Sequence, residues 1–252
     1  MLTEELMDTT QKNKELEKLT PQEIISWAVE TYSPRVGMTS SFGAESVALI
    51  HMVIQVKPNV PVYFLETGFH FAETLKFRDF LKEKYRLNIV DLTCETGHAA
   101  FLGKYGQLHQ TNPDLCCEIN KVEPLKKAIA NLKAWITGIR RDQANTRRNI
   151  QIVEQYQPGL VKVNPLANWT KDMVWDYIRR HNIPAHPLTL KGYTSIGCEP
   201  CTRPTQVGED PRAGRWAGKG KTECGIHTMH MRDKDIDAVR AKELEHKEQH
   251  KR

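Results

Sequence analysis

Hydrophobic residues along the chain form short β-rich runs that alternate with longer runs of helical periodicity. The β-rich runs predict strands at residues 36–39, 62–65, 89–92, 135–138 and 161–163. The helical runs predict helices at residues 46–56, 73–85, 122–130 and 147–155, and one that Thr170 caps and that continues to His181. Another helix is expected to begin at Thr20, because Thr20 and Glu23 have capping-box spacing and Pro21 suits the first helical position.

Strand–helix alternation of this kind predicts an α/β fold in which a parallel twisted sheet has helices on both faces. Ligands of such sheets bind at the carboxyl ends of the strands, where the loops lie. The loops that follow the predicted strands are therefore the first candidates for a functional site.

The pattern changes near residue 184. Twelve of the 44 residues 184–227 are glycine or proline, against 16 of the other 208, and no periodicity survives there. A long irregular segment in a compact protein is usually functional or disordered, and three of the six cysteines in this one favour a functional role. We divide the chain into an N-terminal extension at 1–19 (a surface helix or a loose segment), an α/β domain at 20–183, a C-terminal segment at 184–228 and a charged tail at 229–252.

The composition is that of a globular protein, with 39% hydrophobic and 27% charged residues in 252. The most apolar stretch, residues 47–56, is short and interrupted by His51 and Gln55, so no membrane span is expected. The first ten residues lack the apolar core of a signal peptide, and we expect a cytoplasmic protein. The net charge of +5 is too small to indicate a nucleic-acid partner.

The loop at residues 40–46, SSFGAES, follows a predicted strand and opens a predicted helix. Small and hydroxyl residues allow the backbone to approach an anion, and a helix N-terminus supplies N–H groups, so the loop suits a phosphate. It is neither the dinucleotide-binding GxGxxG nor the GxxxxGK[ST] of nucleoside triphosphatases. An ordinary strand-to-helix turn capped by serine is the structural alternative.

Cysteines in a reducing compartment indicate metal or thiol chemistry rather than disulfides. The sequence has an adjacent pair, Cys116 and Cys117, and a CxxC formed by Cys198 and Cys201. A CxxC fits a zinc half-site, a redox pair or an iron–sulfur half-site. Adjacent cysteines diverge, which favours a 4Fe–4S cluster over one zinc ion, although zinc and purely structural thiols stay open. Cys94 has no flanking motif and is expected to be a small core residue at a strand end.

Cys224 lies apart from both pairs, in KTECGIH. Lys219, Lys221 and His227 are close in sequence, and nearby cations favour the nucleophilic thiolate. An adduct on Cys224 would need an external dithiol such as thioredoxin or glutaredoxin to resolve it, because this cysteine has no CxxC partner. A free cysteine with no function is the alternative.

The chain resembles the APS/PAPS (sulfonucleotide) reductase family, and within it the assimilatory, thioredoxin-dependent adenylyl-sulfate (APS) reductases. The 40–46 loop is similar to the SGGxDS loop of the adenine nucleotide alpha hydrolase-like ATP pyrophosphatases, with Phe42 in place of glycine and Glu45 in place of aspartate. The other matching stretches are LETGFHFAET (65–74), CCEINKVEPL (116–125), WITGIRRDQ (135–143), GYTSIGCEPCTRP (192–204), GRW (214–216) and KTECGIH (221–227).

This resemblance implies an adenine nucleotide alpha hydrolase-like fold and reduction of APS to sulfite and AMP, in sulfate assimilation and cysteine biosynthesis. Cys224 would attack the sulfur of APS, and reduced thioredoxin or glutaredoxin would release sulfite from the resulting S-sulfocysteine. Cys116, Cys117, Cys198 and Cys201 would hold one 4Fe–4S cluster. Because the electrons come from the dithiol, the cluster would act electrostatically by drawing Lys121 and the sulfate into place.

The resemblance also implies the residues that bind the substrate. The family's loop before the first arginine is one residue shorter here, so Arg148 is an alternative to Arg147, although a surface charge is the preferred interpretation of Arg148. His227 would act near Cys224 or only pack. The implied binding residues are Ser40, Ser41 and Gly43 for the nucleotide, Gly138 near adenine or ribose, Lys121 between cluster and substrate, and Arg147, Arg212 and Arg215 for the phosphosulfate.

Other functions remain open from the sequence. The enzyme could use both APS and PAPS, and an ATP pyrophosphatase-type thiolation enzyme and a zinc-stabilised binding module are more distant alternatives. The arginine pairs at 140–141 and 147–148 lack the interleaved aromatic residues of a nucleic-acid surface, so we expect neither a nucleic acid nor a membrane as partner. A homo-oligomer is compatible with the sequence. We also predict that residues 202–227 form a mobile lid that carries Cys224.

Overall fold

The structure is a computed structural model that describes residues 8–227. The charged tail predicted at 229–252 therefore lies outside the described residues, as do the first seven residues of the predicted extension. The strands are β1 (Val36–Thr39), β2 (Pro61–Leu65), β3 (Asn88–Leu92), β4 (Ala134–Ile136), β5 (Val153–Gln157) and β6 (Leu160–Val163). The α-helices are α1 (Thr9–Leu16), α2 (Pro21–Tyr32), α3 (Ala44–Val56), α4 (Ala72–Tyr85), α5 (His98–Tyr105), α6 (Leu108–Thr111), α7 (Pro113–Cys117), α8 (Glu123–Ile129) and α9 (Lys171–Arg180).

The six strands form one sheet in the order β3-β2-β1-β4-β6-β5. The five strands predicted from the sequence form its parallel part, in which Met38 of β1 is in register with Val62 of β2 and Ile136 of β4. The sixth strand, β5, pairs antiparallel with β6 at one edge. The predicted parallel sheet is confirmed, with an antiparallel edge strand added.

Helices cover both faces of this sheet, as predicted. Along β4, Ala134 and Ile136 belong to the large core that also contains α2, α3 and α9, whereas Trp135 points to the opposite face and packs with Leu125 and Ile129 of α8. This alternation follows from the two-residue period of a strand. Because both faces are covered, the central strands are almost wholly buried.

The predicted helix starts at Thr20 and Thr170 are confirmed. The Thr20 hydroxyl accepts a hydrogen bond from the Glu23 amide, and the Glu23 carboxylate accepts one from the Thr20 amide, so that α2 has a full capping box. Thr170 caps α9 through the amide of Met173. These local interactions involve residues three positions apart, which is why the sequence reveals them.

The helix predicted at residues 147–155 is wrong. A 3₁₀ turn, Asn145–Arg147, is followed by strand β5, and Pro158 and Gly159 then reverse the chain into β6. The turn signal in Pro158-Gly159 and the β-branched Val153 outweigh the weak helical spacing. Helices α5, α6 and α7 were not predicted, and a π-helical turn, Glu118–Val122, precedes α8.

The part of the predicted N-terminal extension that the structure describes is not loose. Leu16 of α1 is 1% exposed in the main core. The side-chain amide of Asn13 donates to the Val153 carbonyl at 2.8 Å and accepts from the Val153 amide at 3.0 Å. The side-chain amide of Asn13 thus satisfies both backbone groups of Val153, as the backbone of a neighbouring strand would. In this way α1 covers part of the sheet edge that β5 forms.

Residues 184–227 are irregular, as predicted, apart from the 3₁₀ turns Pro187–Lys191 and Glu199–Cys201. Cys94, expected in the core, is 4% exposed and packs against Phe101 and Leu108. Among residues 8–227, no helix has the length and hydrophobicity needed to span a bilayer.

His186 links the irregular segment to α4 in a way that depends on pH. Its Nδ1 accepts a hydrogen bond from the Leu188 amide at 3.2 Å, and its Nε2 lies 3.0 Å from the Thr74 hydroxyl. Burial lowers the pKa of His186 from 6.5 to about 4. The ring is therefore neutral in the folded protein, with Nε2 as the donor to Thr74.

We predict that His186 makes the protein less stable in acid. Below pH 6.5 the unfolded chain binds a proton that the folded chain does not bind until about pH 4, so the free energy of unfolding falls over that window. The contribution that is lost reaches about 3 kcal/mol. Urea unfolding of the wild type and of His186→Gln at several pH values measures it: the stability difference between the two proteins should shrink as the pH falls. A difference that is constant over that window would contradict the prediction.

Candidate active site

A cleft of about 520 Å³ lies at the carboxyl ends of the parallel strands. Its walls come from the loop after β1, the ends of β2 and β4, and the irregular C-terminal segment. All the residues predicted to bind substrate, and the predicted nucleophile, line this one cleft: Ser40, Ser41, Gly43, Lys121, Gly138, Arg147, Arg212, Arg215, Cys224 and His227. Residues that are up to 187 positions apart in the chain therefore meet here.

The loop at residues 40–46 turns sharply before α3 begins. Phe42, which stands where the related ATP pyrophosphatase loop has glycine, has a φ of 56°. Its ring is fully buried against Phe64, and its amide donates to the Ser40 hydroxyl at 3.0 Å. Packing of the ring thus stabilises a left-handed conformation that normally favours glycine.

The first turn of α3 faces the cleft. Gly43 is its N-cap residue, and within residues 8–227 no capping side chain accepts a hydrogen bond from the amides of that turn. These amides and the positive end of the helix dipole are available to an anion. Glu45, in the same turn, forms an ion pair at 3.0 Å with Arg140, which also pairs with Asp142.

Two of the predicted phosphosulfate-binding arginines contact the residue that precedes Cys224. Arg147 donates from Nε and Nη2 to the two carboxylate oxygens of Glu223, each at 2.7 Å. Arg212 donates from Nη2 to the same carboxylate at 3.2 Å and to the Thr222 carbonyl at 2.8 Å. Burial alone would raise the pKa of Glu223, but Arg147 and Arg212 outweigh it and hold this pKa below its usual value.

The two neighbouring arginines differ in burial and in position. Arg147 is buried and lines the cleft, whereas Arg148 is exposed and does not. Burial and the charge of Arg147 lower the pKa of Arg212 to about 10, at which it is still protonated at neutral pH. Because these cations repel one another, an anion that enters the cleft relieves the repulsion.

Arg215 is held in a third way. Its guanidinium lies over the ring of Trp216, 4.4 Å from the ring centroid, and its Nη1 donates to the Ile196 carbonyl at 3.3 Å. Gly197 makes this position possible, since a Cβ there would overlap the Arg215 guanidinium. The buried Nε of Arg215 has no hydrogen-bond partner among residues 8–227, and neither has Nδ1 of His70, which also lines the cleft. Such unpaired buried atoms are rare in proteins, and here they belong to two residues that line the cleft, where a polar ligand could pair with them.

The segment that carries Cys224 is docked against the rest of the protein on both sides of the thiol. Before it, Lys219 donates to the His109 carbonyl at 2.6 Å. After it, the Ile226 carbonyl accepts from the Tyr156 hydroxyl at 3.0 Å, and the His227 ring stacks on Trp135 at 5.7 Å. The structure thus describes the segment closed over the cleft, and its predicted mobility stays a prediction.

The four cysteines of the two motifs come together beside the cleft. Cys116, Cys117, Cys198 and Cys201 are all buried and line one small neighbouring cavity. Hydrogen-bonding groups surround them: the Thr67 hydroxyl lies 3.3 Å from the Cys198 sulfur, and the Asn120 amide donates to the Cys116 carbonyl at 3.0 Å.

Lys121 lies between this cavity and the cleft and borders both. Burial acts to lower the pKa of its ammonium, but the thiols of Cys198, Cys117 and Cys224 outweigh burial and raise this pKa above its usual value. The same pairing and the Thr67 hydroxyl lower the pKa of Cys198 in spite of its burial. Lys121 thus lies between the four motif cysteines and the cleft that Cys224 lines, and its predicted role toward cluster and substrate stays a prediction.

The four thiols fit an iron–sulfur cluster by their chemistry and surroundings. The buried Nε1 of Trp216, in the wall of their cavity, has no acceptor among residues 8–227 and can donate to a sulfide or thiolate. In that part of the chain, no three His, Cys, Asp or Glu side chains are arranged to hold a metal ion. The cluster thus stays a prediction, which the burial of the four thiols together and the unpaired Trp216 donor support.

Sequence reasoning missed several residues of this site. Glu223 and Arg140 stand within the matching motifs, but nothing local shows that they pair with residues 76 and 95 positions away. Thr67 belongs to the LETGFHF motif, and a hydroxyl in a motif that follows a strand was a usable signal. The GRW motif does not by itself predict a role for Trp216, although this residue borders both cavities.

Comparison with known proteins gives a consistent picture. Residues 35–204 match the model of the phosphoadenosine phosphosulfate reductase domain. An adenosine 5'-phosphosulfate reductase of Streptomyces coelicolor is 43% identical over 228 residues, which cover 89% of this chain and 96% of that protein. A phosphoadenosine 5'-phosphosulfate reductase of Gloeobacter violaceus is 44% identical over 221 residues, which cover 85% and 91%.

Solved structures agree at the level of the fold. A phosphoadenylyl-sulfate reductase of Candida auris, crystallised as a phosphate complex, is 30% identical with a TM-score of 0.71, covering 79% of this chain and 98% of that one. An FMN adenylyltransferase of Candida glabrata is 16% identical with a TM-score of 0.56, covering 84% and 72%, and shares the fold alone. The expected adenine nucleotide alpha hydrolase-like fold is confirmed.

We predict that Gly197→Ala weakens the binding of AMP while leaving the fold intact. The new methyl group meets the end of a flexible side chain, so Arg215 moves off Trp216 instead of the backbone shifting. Loss of one oriented guanidinium should weaken AMP binding about tenfold, measured by calorimetry. Gly103→Ala is the control, because a Cβ at this exposed position in α5 meets nothing within 4 Å. Unchanged affinity in Gly197→Ala would show that Arg215 does not contact the nucleotide.

Proposed function

Because the chain belongs to the phosphoadenosine phosphosulfate reductase family, whose members reduce sulfonucleotides in sulfate assimilation, we propose that it reduces adenylyl sulfate to sulfite and AMP, with thioredoxin as the electron donor. The observation that carries the proposal is the single cleft in which Cys224 lies beside a nucleotide-type loop and several arginines. An anion site alone would fit many nucleotide-binding proteins. The thiol in the same cleft supports a reaction at sulfur.

The chemistry proceeds in three balanced steps. The Cys224 thiolate attacks the sulfur of the sulfate group; a sulfur–sulfur bond forms, the bond from that sulfur to the bridging oxygen breaks, and AMP leaves with the electron pair. A thiolate of reduced thioredoxin then attacks Sγ of Cys224 and expels sulfite with the electron pair of the sulfur–sulfur bond. The second thioredoxin thiol attacks the mixed disulfide, which frees Cys224 and leaves thioredoxin oxidised by two electrons.

The residues that line the cleft have different roles in this reaction. Ser40, Ser41 and Gly43, with the free amides of α3, bind the nucleotide, and Gly138 borders its adenine or ribose. Arg147, Arg212 and Arg215 face the phosphosulfate, and Lys121 stabilises the charge that develops on the departing oxygen. His227 is held on Trp135, and burial lowers its pKa well below its usual value, so it acts as a neutral group.

Cys116, Cys117, Cys198 and Cys201 would hold a 4Fe–4S cluster, which supplies a fixed electrostatic field beside Lys121 and is not needed as an electron source. The thioredoxin dithiol supplies both electrons of the reaction. With the cluster bound, the Thr67 hydroxyl and the Nε1 of Trp216 would be available as hydrogen-bond donors to its sulfurs.

A second candidate is an enzyme that uses both APS and PAPS. The chain is 44% identical to a protein named phosphoadenosine 5'-phosphosulfate reductase and 46% identical to one named adenosine 5'-phosphosulfate reductase. These similar identities do not favour one substrate over the other, which supports this candidate. Sulfite release measured separately with APS and PAPS distinguishes the two candidates.

We predict that Cys224→Ser abolishes sulfite release from APS in the presence of reduced thioredoxin. Serine lacks the nucleophilic sulfur that has to carry the sulfite group, so the loss should be at least about a thousandfold. Cys94→Ala is the matched control: it removes a buried thiol that lines neither the cleft nor the cysteine cavity and should retain activity. Sulfite release that survives in Cys224→Ser would overturn the assignment of the nucleophile.

We predict that the purified protein is brown and contains iron and acid-labile sulfide in equal amounts, and that Cys201→Ser loses both. A colourless protein that contains zinc would refute the cluster.

We predict that Lys121→Ala retains the iron and sulfide but releases sulfite about a hundredfold more slowly, because it removes a cation and no ligand. An unchanged rate in Lys121→Ala would refute the electrostatic role of the lysine.

A further inference from the structure

Cys224 is fixed in the cleft by contacts on either side of it. On the C-terminal side, Ile226 packs against the core that contains Trp135 and Tyr156, and its carbonyl accepts from the Tyr156 hydroxyl. On the N-terminal side, the adjacent residue Glu223 forms ion pairs with Arg147 and Arg212. The apolar contact is nonspecific in direction, whereas the bidentate pair defines both the position and the orientation of the chain.

The Glu223 carboxylate occupies the face of Arg147 that best recognises an oxyanion. Nε and Nη2 both donate to it, and Nη1 donates to Gln143 at 2.6 Å. The side chains of Arg147 and Glu223 are 10% and 16% exposed, so the pair is largely shielded from water. Thr146 adds a hydrogen bond from its hydroxyl to Glu223 at 3.2 Å. This is a built site for one carboxylate, supplied by the same segment as the thiol.

We propose that Glu223 is a positioning residue, which holds Cys224 over the cleft through Arg147 and Arg212. The inference rests on the proposed function, since it concerns the residue assigned as the nucleophile. Glu223 does not touch the reacting sulfur atoms and acts through the chain that it holds. An ion pair suits this task because the thiol has to meet the nucleotide first and a protein dithiol second, so the contact has to form and break repeatedly.

The charge of Glu223 allows a positioning role to be distinguished from a merely structural one by kinetics. Glu223 neutralises part of the positive charge that the anionic nucleotide also needs. Glu223→Gln therefore frees Arg147 and Arg212 for the nucleotide while it loosens Cys224. The turnover number should fall and KM for APS should stay the same or fall, whereas damage to the cleft as a whole would raise KM.

The experiment compares Glu223→Gln with Glu209→Gln in the full-length holoprotein. Glu209 is a matched control: it also forms a two-oxygen ion pair, with Arg203, on the same irregular segment, but neither residue lines the cleft. The first readout is the rate at which iodoacetamide alkylates Cys224 without substrate, followed by mass spectrometry of the peptide. The rate should rise about tenfold in Glu223→Gln and stay unchanged in Glu209→Gln. An equal rate in wild type and Glu223→Gln would overturn the proposal.

The second readout is steady-state sulfite release from APS. We expect the turnover number of Glu223→Gln to fall about tenfold without a rise in KM, and Glu223→Asp, which keeps the charge, to recover part of it. A fall in turnover number accompanied by a rise in KM would also overturn the proposal, since it indicates general disruption. If the wild type released no sulfite, the proposed function would fail, while the alkylation rates would still test whether Glu223 holds Cys224.

Discussion

A lysine ammonium buried among thiols is the interaction on which the rest of the site depends. Lys121 is 9% exposed, and the groups that raise its pKa are the sulfurs of Cys198, Cys117 and Cys224. An ammonium that is removed from water is strongly destabilising unless negative charge compensates it. The site therefore requires negative charge on both sides of Lys121, from the four motif cysteines on one side and from the nucleotide or Cys224 on the other. This requirement links the cleft and the cysteine cavity, which are two separate cavities that share Lys121.

The other cations of the cleft are each oriented by an internal partner. Arg140 is held by Glu45 and Asp142, Arg147 by Glu223, and Arg215 by the Trp216 ring. Long side chains lose much rotamer freedom when a ligand orders them, and this loss weakens binding. In this protein the ordering is part of folding, so an incoming anion meets positive charges whose positions are already fixed.

The sequence predicted the parts of the molecule that depend on local or periodic information. The five parallel strands, the caps at Thr20 and Thr170 and the irregular segment after residue 184 follow from spacing over a few residues. It failed at β5, where polar residues in a hairpin imitate helical spacing. The motif resemblance identified site residues that the structure places in one cleft, but it did not reveal the partner of Arg147. That partner lies 76 residues away, and only folding brings the two side chains into contact.

Trp216 is a common wall of the two cavities, since it borders the cysteines on one side and the nucleotide cleft on the other. Indole emission responds to the charge and polarity of its immediate surroundings. The chain contains five tryptophans, and a second one, Trp135, is stacked on His227 at the end of the Cys224 segment. The intrinsic fluorescence of the protein is therefore expected to respond to a ligand in either cavity without an added label. Binding in two separate cavities would become visible in one optical signal, because the Trp216 ring borders both of them.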